Sequence, residues 1–297
     1  MSAWLLYALI APFLFGVLSM FDKFLRDKHL GTFTFSTFTG LSWFWVLLLI
    51  PLVGFPQVTW PVAVVGIASG VFFFGNGLPY FEALSIEEAS RIVPLWSLSS
   101  VMTLLLAFIF LNERLTVFDY AGFVLVIAGA FLVTARHVSE VFRPRRAFWL
   151  MVIATASNAI SLVLMKWVFD AGTPFWHTQI LAGIGLGVAT LAVLLFSGKV
   201  KRFAKDLAAL KNKMAILLIR EGISIISVLT SYFALRLGPA SLTAALGDTV
   251  SAYTFVMAIL LSTWLPRIVK EETDKKTLLT KAAAIGLIMV GLYFISL

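Results

Sequence analysis

Residues Arg91–Leu111 read RIVPLWSLSSVMTLLLAFIFL. The one charge in this run stands at its first position, and Asn112-Glu-Arg114 follows its last. A bilayer core takes about 20 apolar residues as a helix. The run has that length and lacks the period-2 alternation of a barrel strand. It reads as a helix that spans a membrane.

The rest of the chain repeats the pattern. Ten segments qualify, at approximately 3–22, 31–53, 59–84, 91–111, 117–135, 147–168, 175–197, 214–236, 240–264 and 278–296. The whole chain of 297 residues is 60% hydrophobic and 13% charged, with mean hydropathy +0.98. A soluble domain carries about 25% charged residues, so this chain has too little polar surface for a water-soluble globule. The start, MSAWLLYALI, has no Lys or Arg before its apolar run and reads as a first spanning helix rather than a signal peptide. The connections are too short to hold an ATPase domain, and Gly198-Lys199 lacks the upstream glycine of a P-loop.

Cysteine is absent, which excludes disulfides, thiolate metal sites and a cysteine nucleophile. The only histidines are His29, His137 and His177, scattered near loops, so neither a metal site nor a cofactor is expected.

Net charge is +8. If ten helices alternate, 19 of the 23 Lys and Arg fall in loops on one side and 2, Arg114 and Arg236, on the other. Lys166 and Arg220 lie within spans. The excess is therefore an orientation signal, not a nucleic-acid footprint. The positive-inside rule puts the basic loops in the cytoplasm and both termini outside.

The chain also repeats itself. Lys23-Phe-Leu-Arg-Asp27 and Lys166-Trp-Val-Phe-Asp170 share an i, i+4 Lys–Asp spacing, 143 positions apart. Ala83-Leu84 through Ala89-Ser90 matches Ala234-Leu235 through Ala240-Ser241, 151 apart. Two units of five spans, 3–135 and 147–296, insert with opposite orientation. That is the inverted repeat of secondary transporters. The expected fold is all-α integral membrane: ten transmembrane helices as a 5+5 inverted repeat.

Ala83–Leu95, Leu98–Thr103, Leu111-Asn-Glu-Arg-Leu-Thr116 and the pair Gly122 and Gly129 resemble the EamA domain of the drug/metabolite transporter superfamily. The second half is looser: Leu246-Gly-Asp-Thr-Val250 stands at the family's "L-E-P-V", and Gly291 follows Ala284 by seven. Ser100 and Thr249 replace family prolines, and Trp264–Glu271 stands where a second "G-E-R" belongs. The resemblance implies a ten-helix secondary carrier of small metabolites. Relatives are drawn with cytoplasmic termini, opposite to the charge count here.

Charged residues inside spans are costly and mark function. Asp248 sits deep in span nine, as a substrate ligand or a protonation site, or as a carboxylate that accepts hydrogen bonds from a neighbouring helix. Arg220 and Glu221 lie about two turns into span eight. Adjacent helix positions point about 100° apart, so Arg220 is expected to pair with Asp248 in the cavity rather than share a partner with Glu221; the other reading is that it snorkels to the basic side. A carboxylate-bearing solute would then take Asp248's place on Arg220. Glu82 has two readings, a solvated helix end or a cavity wall. Glu113 and Arg114 are expected to cap or anchor a helix end. The neutral candidates are Asn76, Trp96, Ser97, Asn158, Tyr232 and Tyr253, with Trp96 either in an interfacial belt or lining a cavity with the two tyrosines. The function expected is export of a small metabolite, an amino acid or another organic anion or zwitterion, with proton coupling. The alternative is a multidrug or organic-cation exporter. An enzyme is not expected. The partners are the lipid bilayer and a small-molecule solute.

Overall fold

The computed structural model describes residues 2–28, 31–87, 92–134, 141–142, 145–209, 214–264 and 275–297. The described residues hold helices and no strand. Helix α1 is Ala3–Lys28. Next come α2 (Thr32–Ser42), a 3-10 stretch (Trp43–Leu49) and α3 (Ile50–Val53), which form one continuous rod. Gly54 ends it at φ 81°, a conformation that costs glycine nothing. Then follow α4 (Trp60–Ile86), a 3-10 turn (Val93–Trp96) running into α5 (Ser97–Phe110), and α6 (Val117–Thr134). Helices α7 (Arg146–Asp170), α8 (Phe175–Phe196), a short α9 (Val200–Ala209) and α10 (Met214–Leu237) come next. The chain closes with α11 (Ala240–Gly247), α12 (Val250–Trp264) and α13 (Lys275–Ser296).

Among the described residues, seven helical stretches are long and apolar enough to cross a membrane: 33–53, 60–86, 93–110, 146–170, 175–196, 214–237 and 279–296. The segment read as a span at 31–53 is continuous but changes winding, whereas the one at 240–264 is interrupted. The first tightens into 3-10 geometry after Ser42, and the second breaks at Asp248 and Thr249 between α11 and α12. Apolar length shows neither, because hydropathy is blind to the local winding of a helix.

Small residues set the closest crossings. Gly122 and Gly291 face each other across α6 and α13, where a Cβ on either would come within 2.7 or 2.8 Å of the other's carbonyl oxygen. Gly129 meets Ala284 in the same way at 2.6 Å, so the seven-residue spacings on the two helices interlock. Helices α4 and α8 also touch backbone to backbone: a Cβ at Gly70 would collide with the Ala182 carbonyl, and one at Gly185 with that of Ile67.

Lys166 and Asp170 form the expected i, i+4 ion pair, 3.2 Å apart. The side chains of Asp22, Lys23 and Asp27, together with His29, Glu88, Arg91, His137 and residues 265–271, lie outside the described residues.

Candidate functional site

Helix α2 carries the run Thr34-Phe-Ser-Thr-Phe-Thr39 just above its start. Hydroxyls spaced along an apolar helix have no water to satisfy them in a bilayer, so they bond back to the helix or to a neighbour. Thr37 takes the first course, donating to the Phe33 carbonyl at 2.7 Å. Thr39 takes the second and meets α10.

On α10, Arg220 and Glu221 are each only 4% exposed. Their side chains bind each other, with Arg220 Nη1 donating to Glu221 Oε1 at 2.7 Å. Arg220 Nη1 also donates to Thr39 Oγ1 at 3.2 Å, and Thr39 donates in turn to Glu221 Oε1 at 2.8 Å. Ser42 Oγ lies 3.1 Å from Glu221 Oε2. The Arg220 guanidinium sits 4.6 Å above the Phe35 ring, an attractive cation–π geometry. The hydrogen bonds compensate for the high cost of burying two charges.

Phe35, Thr39 and Arg220 of this cluster line a cavity of about 140 Å³ between α2, α4, α8 and α10. Phe35, Trp43, Phe73, Phe74 and Phe81 supply apolar surface, while Ser36, Thr39, Asn76 and Arg220 supply polar groups. Ser36 Oγ is buried without a hydrogen-bond partner among the described residues. Across the cavity, Asn76 donates to Asn158 Oδ1 on α7 at 3.2 Å, and Asn158 donates to Ser99 Oγ on α5 at 2.8 Å.

Asp248 does not meet Arg220, which corrects the expected pair. It stands at the α11–α12 break, where its Oδ2 accepts from Ser100 Oγ at 2.6 Å. Depth along two antiparallel helices places residues at one level but not on facing sides, and the side chains that reach Arg220 and Glu221 come from α2. Glu221 is the partner instead, because both long side chains swing to Thr39 despite their adjacent positions.

The other candidates scatter. Glu82 is exposed and ion-paired with Arg146, so it ties the end of α4 to the start of α7 at the surface. Trp96 packs on Tyr80, ring centroids 5.0 Å apart. Tyr232 is buried beside Phe73, and Tyr253 packs edge-on to Phe13 at 5.9 Å, so the three aromatics share no cavity. Glu113 is the expected cap. Asn112 takes φ 51°, and Glu113 accepts from the backbone N–H of Ala240 at 2.7 Å and of Ser241 at 3.1 Å, at the N-terminus of α11. Phe35, Ser36, Thr39 and Ser42 were missed. Their signal was the alternation of hydroxyls and phenylalanines in TFTFSTFTG.

A family model described as "EamA-like transporter family" matches residues 2–135. This EamA-like unit holds Phe35, Thr39, Asn76, Ser100 and Glu113, whereas Arg220, Glu221 and Asp248 come from the residues beyond it. The chain is a multi-pass membrane protein. An "uncharacterized transporter in cobO 3'region" from Sinorhizobium sp is 37% identical over 78 residues, 26% of this chain. The match spans about half of that relative, 52% of its length. A solved crystal structure, described only as that of a protein, shares the fold at a TM-score of 0.68 and 19% identity, covering 99% of this chain and 96% of its own.

Proposed function

We propose that the protein is a secondary transporter, not an enzyme, that exports a small organic anion or zwitterion such as an amino acid. The observation that carries this reading is Arg220, ion-paired with Glu221 behind it, in the wall of an aromatic-lined cavity. A solute carboxylate gains a charge-assisted contact from Arg220, which suits planar carboxylates. An ammonium group on the same solute gains one from Glu221. The phenylalanines and Trp43 accept its apolar part, and the Ser36 hydroxyl is without a competing partner.

The alternative, a multidrug or organic-cation exporter, is less well supported. Glu82 faces Arg146 at the surface rather than the cavity, and a cation meets Arg220 as a like charge. The cavity of about 140 Å³ is also well under the about 300–1,000 Å³ of drug-sized sites.

The architecture we propose is ten crossing helices in two inverted halves of five, 3–135 and 147–296, working by alternating access. The cavity lies near the starts of α2 and α10 and the end of α4, which is the basic side of the charge count. That side is cytoplasmic by the positive-inside rule, with both termini outside, in the cell membrane. A cavity open there suits loading from the cytoplasm, hence export. Asp248, buffered by Ser100 rather than bound to Arg220, remains the candidate for proton coupling.

The test is a metabolite panel in proteoliposomes, with and without a pH gradient. Small carboxylates and amino acids should move, and movement should respond to the gradient. Transport confined to permanent organic cations overturns the assignment in favour of the alternative.

A further inference from the structure

One side chain in the core has no evident structural purpose. Gln179 on α8 is 0% exposed, and neither its Oε1 nor its Nε2 finds a hydrogen-bond partner among the described residues. A fully buried amide left unpaired costs stability. The cost is explained if a second arrangement of the molecule satisfies it.

The repeat says which arrangement. Helices α2 and α8 begin at Thr32 and Phe175, 143 positions apart, the same offset as the Lys–Asp pairs in α1 and α7. At that offset Gln179 is the counterpart of Ser36, the cavity residue whose hydroxyl is also unpartnered. Gly183 is likewise the counterpart of Gly40, and both pack tightly, Gly40 of α2 against Thr190 of α8 and Gly183 of α8 against Val46 of the 3-10 stretch that continues α2. Helices α4 and α10 are related by 151, as Ala83 and Ala234 are.

A second void supports the same relation. It is about 10 Å³, near the lower limit for one water, and is lined by Trp43, Gly70, Phe73, Ala182, Leu186 and Tyr232. Trp43, Phe73 and Leu186 also line the cavity, so the void adjoins it; Trp43 and Leu186 are each other's counterparts, while Ala182 and Tyr232, which line the void alone, are counterparts of the cavity residues Thr39 and Phe81. Gly70 is the counterpart of Glu221. Gln179 stands one turn before Ala182 and Gly183 on the same helix.

We infer that this void is the collapsed twin of the cavity, and that Gln179 is a solute-binding residue of a second site that opens on the face opposite the basic loops. The inference rests on the alternating-access reading above. The second site differs from the first in chemistry. The counterparts of Arg220 and Glu221 are Ser69 and Gly70, so it offers amide and hydroxyl hydrogen bonds and no ion pair. A charged solute is held by charges at the basic face and only by neutral groups at the other, and it leaves the neutral site more readily.

The test uses the absence of cysteine from the sequence. Single-cysteine variants of the full chain are placed in oriented proteoliposomes and exposed to a membrane-impermeant maleimide. Ser36→Cys should label from the basic face. Gln179→Cys, and Ser224→Cys as the counterpart of Phe73, should label from the opposite face. In a Ser36→Cys, Ser224→Cys chain, a bulky maleimide placed first at position 36 holds the cavity open. It should slow later labelling of position 224 by about fivefold or more. Should Gln179→Cys not fold, Ser224→Cys carries the accessibility test. Gln179→Leu then supplies a second measurement, since removal of an orphan amide should raise the thermal midpoint. No label at Ser36→Cys from the basic face overturns the transport reading itself. Normal labelling there, with positions 179 and 224 inert from the opposite face, leaves that reading standing and overturns the second site. So does a thermal midpoint that fails to rise in Gln179→Leu.

Discussion

Arg220 and Glu221 are consecutive residues on α10, and their side chains meet at 2.7 Å over the Thr39 hydroxyl of α2. Removing one member of a buried pair strands the other charge and costs about 3–5 kcal/mol, whereas removing both costs less. Arg220→Gln and Glu221→Gln should each lower the thermal midpoint, and the double variant should recover part of the loss. Carboxylate transport should fall at least about tenfold in all three, because Arg220 is either absent or misplaced. The check is thermal unfolding in detergent beside proteoliposome flux. A double variant that recovers transport as well as stability would remove Arg220 from the binding site.

Ser100 and Asp248 touch at 2.6 Å, while Asp248 and Arg220 do not pair. Residues in contact couple by about 0.5–3 kcal/mol, and distant ones add within about 0.5 kcal/mol. A stability cycle of Ser100→Ala with Asp248→Asn should therefore show coupling. The cycle of Arg220→Gln with Asp248→Asn should be additive. Strong coupling in the second cycle would restore the direct pair expected from depth alone.

The particular residues explain what was legible beforehand. The apolar runs pointed to the helices, because lipid demands length, and the seven-residue spacings quoted for the resemblance fall on a close crossing of α6 and α13, because close backbones demand small residues. Glu113 was legible as a cap from its place in the Leu111–Thr116 motif, but the helix it caps, α11, lies in the other half of the chain and was not. The partner of Arg220 was not. Rise per residue fixes how deep a side chain lies, but not which helix stands beside it at that depth. Asp248 was misplaced for a second reason: the break between α11 and α12 turns it towards α5. Trp96 went to Tyr80 because it ends a 3-10 turn, whose geometry the apolar run conceals.

Glu113 accepts hydrogen bonds from Ala240 and Ser241 across the two halves of the chain. A capping side chain is worth about 0.5–2 kcal/mol, and a carboxylate at a helix N-terminus gains further from the dipole. Glu113→Ala should destabilise by about 1–3 kcal/mol, and Glu113→Gln by less, because the amide oxygen still accepts. Denaturant titration in mixed micelles reads the difference. Glu113→Ala at full stability would mean that α11 is held by packing alone.

Helix α13 carries its own control. Gly291 lies against the Gly122 carbonyl, whereas a Cβ at Gly286 meets nothing within 4 Å. Overpacking a tight contact costs about 1–3 kcal/mol. Gly→Ala at an open helical position gains about 0.5–1 kcal/mol. Gly291→Ala should therefore lower the thermal midpoint and Gly286→Ala should hold or raise it. Equal effects at the two positions would show that α6 and α13 do not cross at these glycines.

Orientation fixes the direction in which the cavity opens, and two exposed residues decide it. Lys205 lies on α9 among Lys199, Lys201 and Arg202, while Ala171 lies in the turn between α7 and α8, at the other end of α8. Like charges gathered on one side resist translocation, so the α9 side stays in the cytoplasm. In intact cells an impermeant maleimide should label Ala171→Cys directly, and Lys205→Cys only after permeabilisation. The reverse pattern would put the basic loops outside. The Arg220 cavity would then face the exterior, and loading from the cytoplasm would have to begin at the neutral site around Gln179.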